Sequence, residues 1–181
     1  CKRPLSALGL TLRRWRLSLA LQLVLAAVQF VIMPAAPSMA WERLLPLITL
    51  ALAIGLFEAV FWRGWVLQRL EEAFGVVPAV LLGSLLYAAY HIGYGMNVDE
   101  MEFLFFIGVM FALVFLTTRS VLVLWPVFQP MGQLITLMKD GLELPVLASL
   151  GFIDILALMA TLIWLAARYA RKHGIVSVAG R

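Results

Sequence analysis

The chain of 181 residues is 64% hydrophobic and only 13% charged, with a mean hydropathy of +0.99. Soluble domains carry about 25% charged residues, so this composition excludes an ordinary soluble domain and indicates one integral membrane domain. The net charge of +4 does not indicate nucleic-acid binding, because the basic residues cluster at the ends of apolar segments. The single cysteine, Cys1, excludes an internal disulfide framework and a cysteine-based zinc site.

The first sixteen residues form a basic stretch that is typical of a segment lying on the inner membrane surface. A lipidated Cys1 is an alternative, but the basic residues that follow it argue against an outward-facing N-terminus. We therefore predict a basic interfacial segment over residues 1–16.

Six apolar segments follow, and a helix needs about 20 apolar residues to cross a bilayer. Pro34 and Pro37 break the chain after the first segment, an acidic loop precedes the fourth, and Pro126 and Pro130 interrupt the fifth. The sequence predicts an all-α, polytopic membrane helix bundle of about six transmembrane helices over residues 17–168, with a basic cytoplasmic tail over 169–181. The predicted segments are 17–34, 44–67, 76–92, 103–118, 120–138 and 145–167.

The distribution of basic residues predicts the orientation. With six segments both termini lie on one side, and if that side is cytoplasmic, eleven of the fourteen Lys and Arg residues lie inside. Only Arg43 and Lys139 then lie outside, and Arg63 lies within the second segment. By the positive-inside rule we expect both termini in the cytoplasm, and a bacterial inner membrane as the location.

Glu58 and Arg63 place two opposite charges inside the second apolar segment. A charge at membrane depth is costly, so such residues usually face the protein interior and usually have a function. Five residues of an α-helix turn through roughly 140°, so these two side chains need not pair directly. Each must then find partners elsewhere in the chain.

Polar residues on three other segments lie at a similar depth. At about 1.5 Å per residue, Glu58 lies about 16 Å from Arg69 at the cytoplasmic end of its segment. The same count gives about 20 Å for His91, about 15 Å for Gln129 and about 21 Å for Asp154. Tyr87 shares a helix face with His91, and Gln133 shares one with Gln129, because each pair is four residues apart. We expect these side chains to satisfy one another around a common interior site.

Each of these residues also has a purely structural interpretation. Glu58 and Arg63 fit a buried ion pair bridged by neighbours, and His91 fits a hydrogen-bonding strut. Gln129, Gln133 and Asp154 fit interhelical hydrogen bonds. The sequence contains no P-loop, GxSxG, HExxH or CxxC motif, and its two histidines do not suffice for a His-rich metal cluster. We therefore predict no bound metal and no cofactor.

Three ordered motifs resemble those of the CPBP family of intramembrane proteases, which covers CAAX-prenyl endopeptidases and bacterial Abi or bacteriocin-processing relatives. They are the run from Glu58 to Gly64 (EAVFWRG), the run from Tyr87 to His91 (YAAYH), and a later Trp-Pro segment at 125–126. The family pattern is EExxxR, then FxxxH, then Hxxx(N/D) after a Trp-Pro-like segment. The resemblance covers residues 44–134.

The resemblance implies that Glu58 activates water, that Arg63 is the motif arginine and that His91 is the histidine of the second motif. The sequence departs from the family where Ala59 replaces the second glutamate and where glutamines stand at positions 129 and 133. Glutamine is neither a general base nor a good transition-metal ligand. A reduced site would use Glu58 as the base, with His91 or the Gln129 amide donating to the oxyanion.

The sequence leaves three functions open. The first is an intramembrane endopeptidase, which would act on a membrane protein or peptide substrate. The second is a pseudoenzyme, a non-catalytic membrane subunit that keeps the fold and binds a larger membrane complex. The third is a small transporter or proton relay. All three have the lipid bilayer as a partner, and none involves nucleic acid.

Overall fold

The computed structural model describes residues 5–32 and 39–173, and these residues form helices and short connections without a strand. The predicted all-α membrane bundle is confirmed. A π-helical segment, Ala59–Leu67, joins the helix that ends at Glu58 to the helix that begins at Gln68 without a break. The predictions about Cys1, the break at Pro34 and Pro37, and the last part of the basic tail lie outside the described residues. The helices are α1 (Trp15–Ile32), α2 (Trp41–Glu58), α3 (Gln68–Phe74), α4 (Val76–Tyr90), α5 (Val98–Thr118), α6 (Phe128–Lys139) and α7 (Ala148–Lys172).

Five stretches are long and apolar enough to cross a membrane, and the fifth predicted segment is not among them. That segment consists of a 3₁₀ turn over Val121–Val123 and the twelve-residue helix α6. The predicted interruption is present there, and Pro126, preceded by a cis peptide bond, lies between the two pieces. The five stretches are Trp15–Ile32, Trp41–Phe74, Val76–Gly93, Val98–Thr118 and Ala148–Lys172.

Contacts at its two ends show that the broken segment still runs through the bundle. At its start, the Ser120 hydroxyl donates a 2.9 Å hydrogen bond to the carbonyl of Thr11, which precedes α1. At its end, Glu143 pairs with Arg43 at 2.5 Å, near the start of α2. Along α1, the side chain of Gln22 accepts a 3.0 Å hydrogen bond from the backbone N–H of Val127, and the side chain of Gln29 lies against Gly132, so the broken segment runs in the same direction as α1. The described residues therefore form six passages, five by helices long and apolar enough to cross a membrane and one by a broken segment.

The acidic residues before the fourth predicted segment are helical, which differs from the predicted loop. Asn97 accepts a 3.0 Å hydrogen bond from the backbone N–H of Glu100, and the Glu100 carboxylate accepts one of 2.8 Å from the backbone N–H of Asn97. This capping box starts α5 at Val98, and acidic side chains in a first turn favour the helix.

Two close approaches between elements of the bundle occur at glycines. On α5, a Cβ at Gly108 would lie 3.0 Å from the Cβ of Ser84 on α4. On the π-helical segment, a Cβ at Gly64 would clash with the backbone carbonyl of Leu8, in the 3₁₀ turn Leu5–Leu8. In membrane proteins, small residues let two backbones approach closely. Such packing drives the association of helices there, because the hydrophobic effect does not act between helices in lipid. The absence of a side chain at Gly64 thereby lets the N-terminal turn pack against the bundle.

We expect Gly64→Ala to lower the free energy of unfolding by about 1–3 kcal/mol, because the Leu8 backbone must move. The measurement is thermal or denaturant unfolding of the purified protein in detergent. Gly151→Ala is the matched control, since a Cβ added at Gly151 on α7 would meet no atom within 4 Å. Alanine favours a helix over glycine by about 1 kcal/mol, so the control should unfold at the same or a higher temperature. Equal stability of Gly64→Ala and the unmutated protein would contradict the role given to Gly64.

The predicted orientation is tested with single cysteines in a Cys1→Ser background. Lys172→Cys, near the end of α7, should react with a membrane-impermeant maleimide only after the cells are permeabilised, because the basic tail is predicted to be cytoplasmic. Asp140→Cys, an exposed position after α6, should react in intact cells. The reverse pattern would refute the predicted orientation, and labelling of both positions from one side would refute the six passages.

Candidate active site

The Glu58–Arg63 pair stands where α2 passes into the π-helical segment. Glu58 is the last residue of α2, and Arg63 lies in the middle of Ala59–Leu67. A π-helix closes i→i+5 hydrogen bonds, so residues five apart lie near one face. The predicted separation of about 140° assumed an α-helix and is wrong here for that reason. π-Helical stretches within α-helices are frequently found at functional sites.

One oxygen of the Glu58 carboxylate accepts three side-chain hydrogen bonds. Its Oε2 lies 2.7 Å from Nε2 of Gln129, 3.0 Å from Nε2 of Gln133 and 3.2 Å from the hydroxyl of Tyr87. Tyr87 comes from α4, and the two glutamines come from α6. Glu58 itself is 4% exposed. The structure thus brings four of the seven candidate residues into direct contact, from three helices.

A glycine on α2 allows α6 to approach this closely. A Cβ at Gly55 would lie 2.8 Å from Cγ of Pro130 and 3.3 Å from Oε1 of Gln133. Just before α6, the indole Nε1 of Trp125 donates a 3.0 Å hydrogen bond to the carbonyl of Leu52 on α2. Gly55 was not among the residues predicted from the sequence, although it stands three residues before Glu58. A small residue one helical turn before an intramembrane charge is the sequence feature that indicates such a close approach.

Arg63 is buried and lies beside aromatic rings. Its guanidinium carbon lies 4.9 Å from the ring centroid of Tyr87 and 5.8 Å from that of Phe111. Among the described residues it forms no ion pair within 4.0 Å, so it is not joined directly to Glu58. Tyr87 instead links the two charges, since its hydroxyl binds Glu58 and its ring contacts Arg63. Cation–π contacts of this length are favourable when the cation is desolvated.

His91 follows the end of α4 and lies next to Tyr87. Its Nδ1 is 2.8 Å from the backbone carbonyl of Tyr87, and its ring lies edge-on to the rings of Tyr87 and Tyr90. A carbonyl only accepts, so Nδ1 carries the proton. In the neutral imidazole, Nε2 is therefore an acceptor, and it becomes a donor only when the histidine is protonated.

Asp154 is not brought to this group. It is exposed on α7, a helix in which only Ser149 is buried. The count of residues along a helix gives the depth of a side chain but not the direction in which it points. Asp154 was predicted as a site residue from its depth alone, and that prediction is wrong in direction.

The amide oxygens of Gln129 and Gln133 are buried and have no hydrogen-bond partner in the described part of the chain. Both amide groups use their nitrogen for Glu58, so their oxygens remain as acceptors close to the carboxylate. Unpaired buried acceptors are costly, and a bound water satisfies such groups when there is room for it. The site therefore offers acceptors to a water molecule, with a carboxylate beside them.

A metal site has little support among residues 5–32 and 39–173. These contain no group of three or more His, Cys, Asp or Glu residues that could hold an ion. Zinc sites usually use three or four protein ligands. The absence of a metal stays a prediction.

Comparison with known proteins supports the sequence resemblance. No curated protein and no solved structure gives a significant match. A family model does match, over residues 39–127, and it is described as type II CAAX prenyl endopeptidase Rce1-like. The matched region is about half of the chain. It includes Glu58, Arg63, Tyr87 and His91, and it ends just before Gln129.

The predicted resemblance to the CPBP family is thus confirmed: residues 39–127 of this integral membrane protein are similar to the type II CAAX prenyl endopeptidases.

Proposed function

We propose that the chain is an intramembrane endopeptidase in which Glu58 activates a water molecule. The observation that carries the proposal is the asymmetry of the Glu58 carboxylate. Its Oε2 accepts three side-chain hydrogen bonds, whereas Oε1 accepts none from the described residues. A carboxylate held by one oxygen presents the other in a fixed direction, which is what a general base requires.

The chemistry needs a water molecule, a base and a donor to the oxyanion. Water donates one O–H to Glu58 Oε1, and the unpaired oxygens of Gln129 and Gln133 accept the other. As the water oxygen attacks the scissile carbonyl carbon, its proton moves to Glu58. The tetrahedral intermediate then expels the amine, which takes that proton from Glu58. The amide nitrogen of Gln129, which uses one N–H for Glu58, donates its second N–H to the oxyanion.

The resemblance to CAAX endopeptidases supports a peptide substrate that reaches the site within the membrane. A membrane protein or a lipid-bound peptide fits this requirement, because its apolar anchor holds the scissile bond at the membrane. The location that we propose is a bacterial inner membrane, with both termini in the cytoplasm.

A non-catalytic membrane subunit is the second candidate function. It is favoured by the two glutamines on Glu58, which are neutral at every pH and supply no second base. Ala59 likewise removes the second carboxylate of the family motif. In this case the three hydrogen bonds on Glu58 act only to join α2, α4 and α6 within a protein that binds a larger membrane complex.

Glu58→Gln separates the two functions, because it keeps the shape of the side chain and removes its basicity. If Glu58 is the base, cleavage of a candidate peptide substrate in vesicles should fall by about 10²–10⁴-fold, with the unfolding temperature little changed. If Glu58 only stabilises the bundle beside Arg63, the change should cost on the order of 3 kcal/mol of stability.

Glu102→Gln is the matched control, since Glu102 is an exposed carboxylate on α5. It should change neither cleavage nor stability. Cleavage by Glu58→Gln at the unchanged rate would refute Glu58 as the general base, and the absence of cleavage by the unmutated protein would favour the non-catalytic subunit.

Metal removal gives an independent prediction. Incubation with a zinc chelator such as 1,10-phenanthroline should leave cleavage unchanged, because Glu58 and His91 offer at most two good ligands where zinc usually uses three or four. Metal analysis of the purified protein is the second readout. Stoichiometric zinc that disappears in His91→Ala would contradict the proposed metal-free chemistry.

A further inference from the structure

Helix α7 touches the bundle with one face only. Its half-buried side chains recur at helical spacing and face α2 (Phe152, Leu156, Met159 and Ile163). The opposite face carries Asp154, Thr161 and Arg168, each exposed and each seven residues from the next. Seven residues are close to two helical turns, so these three side chains form one stripe. We call it the acidic stripe, after Asp154.

Asp154 lies well inside the apolar part of α7. It stands about 21 Å along the axis from Arg168, and the residues between 150 and 167 include no other charged side chain. Leu158, which flanks the stripe, is 58% exposed. A carboxylate that faces hydrocarbon is costly, and intramembrane acids almost always pair with a partner or face water. Within the described residues the bundle offers Asp154 no such partner.

The charges on the stripe distinguish between two possible docking partners, a second copy of this chain and a helix of another protein. A second copy of this chain has the same membrane orientation, so a parallel pair would set Asp154 against Asp154 and Arg168 against Arg168. Like charges at membrane depth oppose such a contact. A different helix with a basic side chain at the depth of Asp154 is complementary instead. The carboxylate then gains a charge-assisted hydrogen bond in a medium of low dielectric constant.

We propose that the acidic stripe of α7 is a docking surface for a transmembrane helix of another protein, which places a lysine or arginine against Asp154. Thr161 lies two turns along the same line and adds a short side chain where the two backbones approach. The proposal does not depend on Glu58 or on peptide hydrolysis, since α7 contributes none of the side chains in contact with Glu58. It holds for an enzyme that recognises a membrane protein and for a non-catalytic subunit alike.

The test uses the full chain in phosphatidylcholine vesicles, labelled with a donor fluorophore at Cys1, the single cysteine. The probe is a labelled Leu/Ala single-span peptide with one lysine placed to match the depth of Asp154. We expect energy transfer with the lysine peptide, and weaker transfer with an identical peptide that has leucine at that position. Asp154→Ala should weaken association of the lysine peptide by about 5- to 30-fold. Asp154→Glu should restore it, because the carboxylate is kept.

Two controls make the result specific. Thr161→Ala changes the same stripe without removing charge and should retain most of the association. The unfolding temperature of Asp154→Ala in detergent should equal that of the unmutated chain, because Asp154 faces away from the bundle. A lower unfolding temperature would assign Asp154 to the fold and overturn the proposal. Equal binding of both peptides, no binding of either, or self-association that requires Asp154 would overturn it as well.

Discussion

The structure depends on the three hydrogen bonds that one oxygen of Glu58 accepts. In a bilayer the apolar faces of helices have little reason to prefer one another over lipid, so polar contacts and close packing decide which helices meet and in what register. Tyr87, Gln129 and Gln133 each lie in an apolar segment, and each would leave a polar group unpaired if the bundle opened. The carboxylate therefore sets the relative position of α2, α4 and α6, and the hydrogen bonds strengthen one another in a medium of low dielectric constant.

The rest of the bundle is arranged so that these bonds form at normal lengths. Gly55 removes the side chain that would hold α6 away, and Trp125, which precedes Pro126 in the interruption, donates a hydrogen bond to the carbonyl of Leu52 on α2. Tyr87 binds the acid with its hydroxyl and contacts Arg63 with its ring. One side chain thus connects the two buried charges without a direct ion pair. Both charges keep favourable contacts, while the second carboxylate oxygen accepts no hydrogen bond from the described residues.

Much of this arrangement could be predicted from the sequence, because membrane segments are long and apolar and because depth can be counted along them. The count brought Glu58 and Gln129 to one level, the four-residue spacing added Tyr87 and Gln133, and these four side chains are in contact in the structure. It failed for Asp154, since depth does not give direction around a helix. It also did not reveal the π-helical geometry of Ala59–Leu67, because the count along the segment assumed an α-helix throughout. The start of α5 was readable from Asn97 and Glu100, whose spacing is that of a capping box.

The π-helical segment also limits how the protein can change in evolution. Glu58 precedes this segment, and Glu71, which binds Arg119 through both of its oxygens, follows it. Loss of one residue between them would favour ordinary α-helical geometry and turn α3 by about 100° relative to Glu58. The buried acid and the ion pair at the end of the bundle could then no longer be satisfied together. Substitutions are compatible with this stretch, but its length is fixed, so an alignment of related chains should show no gap between these two glutamates.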